Sequence, residues 1–463
     1  MSSPESRVQN PETLRSTRYP HSAVRWVFCC AAIAVAFGCR TSEVLEVVDP
    51  DVLNVDDYKT AAGAGPLRNG VISDWQFVFA GSTDGIVVST GNMADEIRST
   101  DTFEDRLSVS SRTMIENNPA MEGTYRALHK VRSGAARAII ILQEVAPEPR
   151  FNIGELYALR GYSELFFGEM YCAGVPFSVE DGATTTFGEP QTVAEVFDRA
   201  IASFDSALAF ADTSSRVRNM AALGKGRGLL NRGQFAAAAT AVAAVPTAFK
   251  YETFHSLLSG RQENGIWNAT TNGATRYTVI TNEGTNGLNF LQTPQDPRVP
   301  WRTSTRVGFN SLHRNLPDQL KYARTTSVTV SDGVEARLIE LEAKLQGGAQ
   351  ADRDAVFAGL NTLRATGRAG TVVPAIAGSA PTTQAAAVNL LFQERAYWMW
   401  LTGHRLGDLR RLIRQYNRTS ESVFPTGALG APLVGTYGTD VNMIIPFDER
   451  NNTNFTGCID RTA

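Results

Sequence analysis

Residues 216–246 read RVRNMAALGKGRGLLNRGQFAAAATAVAAVP. With Gly233 and Phe235 at a turn, Gly226 and Leu229 fall on a helix before it, and Ala238 and Val242 on a helix after it. Small residues at such positions let two antiparallel helices touch, and bulky ones fill the space beside the contact. The stretch therefore predicts a close-packed helix hairpin. An Ala-rich helix also meets a small-residue template by chance, so a second copy matters.

TVAEVFDRAIASFDSALAFAD, residues 192–212, supplies it: Ala200, Phe204 and Ala207 repeat the second-helix spacing, behind an N-cap at Thr192 with Glu195 three residues on. Its first helix is NIGELYALRGYSELFFGEMY, residues 152–171, with Leu156, Leu159, Leu165 and Phe166 in phase. These are tetratricopeptide-like spacings, although the intervening residues 172–191 are far too many for a repeat turn. Helical periodicity returns in 333–348, in 352–367 and from Gln384 to Gln415, while strand signals are short, at 275–281 and 327–331. The expected architecture is mostly α with little β, a single domain over 59–463 with helical scaffold at 110–250 and 333–418. Between about 250 and 330 the period lapses into Asn, Thr, Gly and Pro, yet Trp267, Tyr277, Phe290 and Trp301 remain. A long irregular region that keeps its aromatics reads as functional loops.

The bulk numbers exclude several classes. Of 463 residues 43% are hydrophobic and 20% charged, enough for a sizeable core, and the formal net charge of −3 offers no basic field for nucleic acid. The five histidines are scattered without an HExxH pattern, so no metal site and no cofactor is expected.

Three of the five cysteines, Cys29, Cys30 and Cys39, lie in the first forty residues. Arg7, Arg15, Arg18 and Arg25 precede the apolar run WVFCCAAIAVAF at 26–37, which ends at Gly38-Cys39. This is an export-signal pattern, and the run is too short to span a bilayer. Ala36-Phe37-Gly38-Cys39 resembles a lipoprotein acylation motif, which implies removal of 1–38, lipid attachment at Cys39 and a tether over 39–58. A plain secretory signal is the alternative. Removing 1–38 takes four arginines and two glutamates and leaves a net charge of −5. Export also places Cys172 and Cys458 where a disulfide persists, so the two are either bridged or free.

LLFQERAYWMWLTGHRLGDLRRL, residues 390–412, resembles the C-terminal signature of SusD/RagB outer-membrane proteins through Glu394-Arg395, Gly403, Arg405, Asp408-Leu409 and Arg411. Trp398 and Thr402 stand where that family commonly has glutamate, which leaves the arginines short of acids on their own helix. VVDPDVLNVDDY after Cys39, LRNG at 67–70, ADE at 94–96, DPRV at 296–299 and IIPFDERNNTN at 444–454 follow in the family's order. The resemblance implies about four tetratricopeptide-like hairpins in a right-handed scaffold, with irregular ligand-binding loops. It further implies a lipid-anchored protein on the outer surface of a Gram-negative cell, which passes an oligosaccharide or peptide to a SusC-like TonB-dependent barrel. A helical-repeat scaffold for envelope assembly is the alternative. No catalytic activity is expected.

Sugar capture needs aromatic faces for C–H surfaces and polar groups for hydroxyls. Trp267 with Asn264 and Asn268, and Tyr277 after Arg276, carry those types in the irregular region. Arg98, Asp101 and Phe103 carry them in IRSTDTFED at 97–105. The competing reading buries each of these in the scaffold. Asp95-Glu96, GKGRG at 224–228, and the row Arg405, Arg410, Arg411, Arg414 and Arg418 read as structural: a chance carboxylate pair, close-packing glycines and a solvated or docking helix face.

Overall fold

The computed structural model describes residues 59–463 apart from 182–183, 273–274 and 369, so the expected signal segment 1–38, Cys39 and the tether lie outside the described residues. The chain enters through α1 (Ala61–Gln76), capped by the Thr60 hydroxyl accepting from Gly63 N, and continues through a π-turn at Phe77–Gly81 into α2 (Ile86–Met93). After β1 (Ile97–Ser99) and α3 (Glu104–Ser110) come two long helices, α4 (Pro119–Val145) and α5 (Arg150–Met170). Asn118 caps α4, and Pro119 occupies a first-turn position where its missing N–H is no loss. An excursion of four short strands follows: β2 (Val175–Pro176), β3 (Val179–Asp181), β4 (Thr184–Thr186) and β5 (Pro190–Gln191). Then come α6 (Val193–Phe210), α7 (Ser215–Asn231) and α8 (Phe235–Val242). The capping box at Thr192 and Glu195 is formed as its spacing predicts.

The second half holds β6 (Lys250–Thr253), α9 (Gly265–Thr270), β7 (Tyr277–Val279), β8 (Trp301–Val307), β9 (Arg314–Gln319) and β10 (Val328–Asp332). Four larger helices and one short turn close it: α10 (Gly333–Leu345), α11 (Gln350–Thr366), α12 (Gln384–Trp398), α13 (Arg405–Tyr416) and α14 (Ser420–Val423). Among the described residues every sheet is two-stranded: β1 with β7, β6 with β10, β2 with β5, β3 with β4 and β8 with β9. The body is thus helical, with successive helices packed on their neighbours from α4 through α8 and from α10 through α12.

Close contact depends on the glycines the sequence singled out. Phe204 of α6 lies between α5 and α7: a Cβ on Gly161 would stand 2.9 Å from its ring, and one on Gly224 would overlap it. A Cβ on Gly226 would overlap Val242 of the following helix, and both Ala238 and Val242 are fully buried. The GKGRG stretch is therefore helix–helix contact surface. Gly233 makes the turn with a φ of +71°, in the left-handed region open to glycine.

Residues 171–192, too many for a repeat turn, form an excursion stitched to the C-terminal segment. Tyr171 bridges Met443, Ala173 bridges Asp460, and Cys172 is joined to Cys458 by a disulfide.

Two expectations are corrected at the C-terminal signature. The helical period from Gln384 to Gln415 is not one helix: α12 ends at Trp398, and Met399–His404 turns with Leu401 and Gly403 at positive φ before α13 begins. The turn lets Trp398 and Trp400 both go inward. The arginine row is not a solvated face either, since Arg405, Arg410 and Arg411 are buried. Arg410 donates to Gly168 O at 2.8 Å, and Arg405 and Arg411 draw acids from other elements. Arg405 makes a two-pronged pair with Asp95 at 2.6 and 2.8 Å, Arg411 reaches Glu342 of α10 at 2.6 and 3.0 Å, and Asp408 accepts from both Arg395 and Arg411. The acids missing at Trp398 and Thr402 are thus supplied across the fold. Asp95 and Glu96 accordingly face separate buried partners, Arg405 and the Leu401 N–H.

Candidate functional site

The β1–β7 pairing sets Arg98 opposite Thr278 and Ser99 opposite Tyr277, which brings the loop after β1 beside the residues before β7. A third segment lies on both, the turn between β8 and β9. Phe309 N donates to Thr275 O and Asn310 N to Thr100 O, each at 2.9 Å. Gly308 permits this approach, since a Cβ there would stand 2.8 Å from Thr100 Cβ.

Asp101 is the anchor. Its side chain has no exposed surface; it accepts from Arg106 Nη1 at 2.6 Å, from Arg276 Nη1 at 2.9 and 3.0 Å, and from Thr102 N at 2.7 Å. Burial would raise its carboxyl, but the bonds from Arg276 and Arg106 outweigh it and hold the group below the usual carboxylate range. Arg106 is itself clamped by Asp84 at 2.6 and 2.9 Å, and Asp84 accepts the Tyr277 hydroxyl at 2.5 Å.

On this base sits an exposed shelf. The Arg276 guanidinium is 3.9 Å from the Phe309 ring centroid and 5.1 Å from that of Phe103. Phe309 is 45% and Phe103 51% exposed, so two aromatic surfaces flank a cation whose position a buried carboxylate determines. A shelf of this kind offers apolar faces for sugar C–H surfaces and guanidinium N–H groups for hydroxyls.

The other expected residues fall differently. Tyr277 is corrected from platform to core: it is buried, and burial together with Asp84 pushes its hydroxyl well above the ordinary tyrosine value. Asp101 likewise has no surface for a ligand and acts through the arginines it holds. Asn264 is buried and caps α9, accepting from Trp267 N at 2.9 Å. Trp267 is half-buried, with the Arg324 guanidinium 5.8 Å over its ring, and Asn268 donates to Glu263 at 3.2 Å. The end of α9 is tied to the shelf through Arg306, which donates to Thr270 O at 2.7 Å and to Thr275 Oγ1 at 3.0 Å.

Arg98 lies on the far side of α3 from Arg106. Its Nε donates to Glu283 Oε1 at 2.9 Å and its Nη2 to Leu429 O at 2.6 Å. It lines a cavity of about 200 Å³ whose other lining residues include Leu429, Leu433 and Tyr437 of the loop 427–437. Three glycines of that loop, Gly427, Gly430 and Gly435, have positive φ, and Tyr437 N donates back to Gly427 O. Behind Arg98, burial and the guanidinium pull His313 down to about 4, so that ring is neutral at ordinary pH.

Sequence reasoning did not single out Phe309, which lies beside Arg276, or Glu283, the partner of Arg98. A signal for the first was present: an aromatic inside the turn-forming run Gly308-Phe309-Asn310-Ser311 has no core-facing period to serve. Among the described residues no group of histidine, cysteine or acidic side chains is arranged to hold a metal ion.

Neither a family model nor a curated protein matches the sequence. Solved structures do match. A SusD superfamily protein from Bacteroides vulgatus superposes with a TM-score of 0.63 at 12% identity, over 87% of this chain and 99% of that one. A laminarin-binding SusD-like protein gives 0.60 at 15% identity, over 86% and 99%. NanU of B. fragilis gives 0.59 at 12% identity, over 90% and 100%.

Proposed function

We propose that this chain, which has the SusD fold, is a cell-surface receptor that captures oligosaccharides on the Phe103–Arg276–Phe309 shelf and hands them to a SusC-like TonB-dependent barrel. The observation that carries the reading is the shelf itself: two half-exposed rings on a guanidinium immobilised by buried Asp101. Pre-placed aromatic and charged groups bind without an ordering cost, which suits capture and release without turnover. A protein of similar structure, the laminarin-binding SusD-like protein, supports a carbohydrate ligand.

Anchoring belongs to the same reading. Among the described residues no helix is long and apolar enough to cross a membrane, and acylation at Cys39 would hold the body at the outer membrane by two or three chains. Replacing Cys39 with Ala should abolish incorporation of a labelled fatty acid.

The test of capture is titration of the purified protein with neutral oligosaccharides, laminari-oligosaccharides among them, and with peptides. Saturable saccharide binding that is lost in a Phe103→Ala/Phe309→Ala variant supports the reading. Binding of peptides alone would reassign the ligand class, and retention of neither would sink the receptor role. Co-purification with the barrel encoded beside the gene tests the partner.

A further inference from the structure

Arg106 and Arg276 share the buried Asp101 carboxylate but use their remaining nitrogens differently. Arg106 gives Nη1 to Asp101 and turns its Nε–Nη2 edge on Asp84, at 2.9 and 2.6 Å. Arg276 also gives only Nη1 to Asp101, at 2.9 and 3.0 Å. Its Nε and Nη2 have no partner among the described residues, and neither atom is buried.

Elsewhere in the fold that edge takes carboxylates. Arg405 sets it against Asp95 at 2.6 and 2.8 Å, Arg395 against Asp408 at 3.1 and 3.0 Å, and Arg227 against Glu169 at 2.8 and 2.5 Å. Two parallel N–H groups match the two oxygens of a carboxylate, and the charges make such paired bonds strong. Asp84, Arg106, Asp101 and Arg276 thus form an alternating row of acids and cations that ends on an open edge at the shelf.

Two observations set Arg276 apart from an ordinary surface arginine. One nitrogen is held by a carboxylate with no exposed surface and the Phe309 ring lies 3.9 Å away, so a ligand meets an edge already in place. The β8–β9 hairpin that carries Phe309 also has more cations than acids. Arg302 and Arg306 share Asp318, and Arg314 makes no salt bridge among the described residues. Glu104 and Asp105 follow Phe103 at the start of α3, so the positive surplus lies on the Phe309 side and favours an anion there.

We propose that the shelf selects acidic saccharides, with the carboxylate of a sugar-acid residue accepting from Arg276 Nε and Nη2 while the exposed rings cover C–H faces of the chain. The proposal rests on the capture reading and adds to it the class of saccharide.

The purified protein is titrated at low salt with oligogalacturonates and glucuronate-bearing oligosaccharides, each beside its own methyl ester, and with a carboxylate-bearing peptide. The ester keeps every hydroxyl and removes the charge. The expected result is that the best acid binds at least tenfold more tightly than its ester, about 1.4 kcal/mol, and that added salt narrows the gap. Arg276→Lys keeps the charge and loses the fork, while Asp101 retains Arg106 and Thr102 N. This variant should melt as the parent does, bind the ester as before and hold the acid within about threefold of it. Equal binding of every acid and its ester by the parent overturns the proposal and leaves capture standing. Full acid preference in Arg276→Lys places the carboxylate on another cation and overturns it as well, as does a peptide that binds more tightly than every saccharide. If the parent binds no saccharide, acid or ester, the capture reading fails and takes the selectivity with it.

Discussion

The Arg276 guanidinium lies over the Phe309 ring, 3.9 Å from its centroid, although the two belong to different loops, and the same guanidinium is held by Asp101. The ring is 45% exposed and serves no core. Replacing Phe309 with Ala should weaken oligosaccharide binding about tenfold, roughly 1.4 kcal/mol, without moving the melting temperature. Calorimetric titration beside a thermal scan checks both halves, and unchanged affinity would remove Phe309 from the site.

The glycines between helices should differ sharply in what alanine does. A Cβ at Gly224 overlaps Phe204 in the buried seam, so Gly224→Ala should cost about 1–3 kcal/mol through overpacking. Gly70, inside α1, has nothing within 4 Å of a Cβ, and Gly70→Ala should stabilise by about 0.5–1 kcal/mol. Urea unfolding of the two variants gives opposite signs if the helix contacts are as described.

Glu96 is fully buried, and burial, with some help from Asp95, pushes its carboxyl up to about 8 against the Leu401 N–H and Arg405. The folded chain keeps this proton while the unfolded chain gives it up above about 4.5, so stability falls as pH rises from there to about 8. Lys321 runs the other way: burial pulls it to about 7, and between that pH and 10.5 stability recovers as the unfolded chain holds a proton the fold lacks. Glu96→Gln keeps an acceptor for Leu401 N and removes the first effect. Its stability at pH 8 relative to pH 5 should exceed the parent's difference by about 2–4 kcal/mol, and identical pH dependence in the two would refute the assignment.

The Cys172–Cys458 link spans 286 residues of sequence. Replacing both cysteines with Ser should lower stability by about 2–5 kcal/mol. Thermal scans with and without reductant should separate for the parent and coincide for the variant.

The scaffold could be read because its rules are local. Thr192 and Glu195 sit within one turn, and Gly226 and Val242 within one hairpin, so spacing alone encodes their contacts. The arginine row misleads because its partners are not local: Asp95 and Glu342 lie hundreds or scores of residues from Arg405 and Arg411, and nothing on α13 announces that its charged face is buried. The proposed site is only partly legible for a related reason. Residue types pointed to the loops at 97–105 and 275–281, but which ring is exposed within them depends on which way each strand faces. Tyr277, Thr278 and Val279 are all buried in β7, and only Arg276, just before the strand, keeps a half-exposed side chain. Phe309 joins them only through the β8–β9 turn, a pairing no sequence period encodes.

The covalent link between Cys172 and Cys458 also closes most of the second half of the chain into a ring, with the 308–313 turn, the 427–437 loop and Trp267 all inside it. A protease that cuts either exposed loop once would open that ring without releasing a fragment. The two pieces would stay one molecule, joined at the end of α5, where the C-terminal segment is stitched down by Met443 and Asp460.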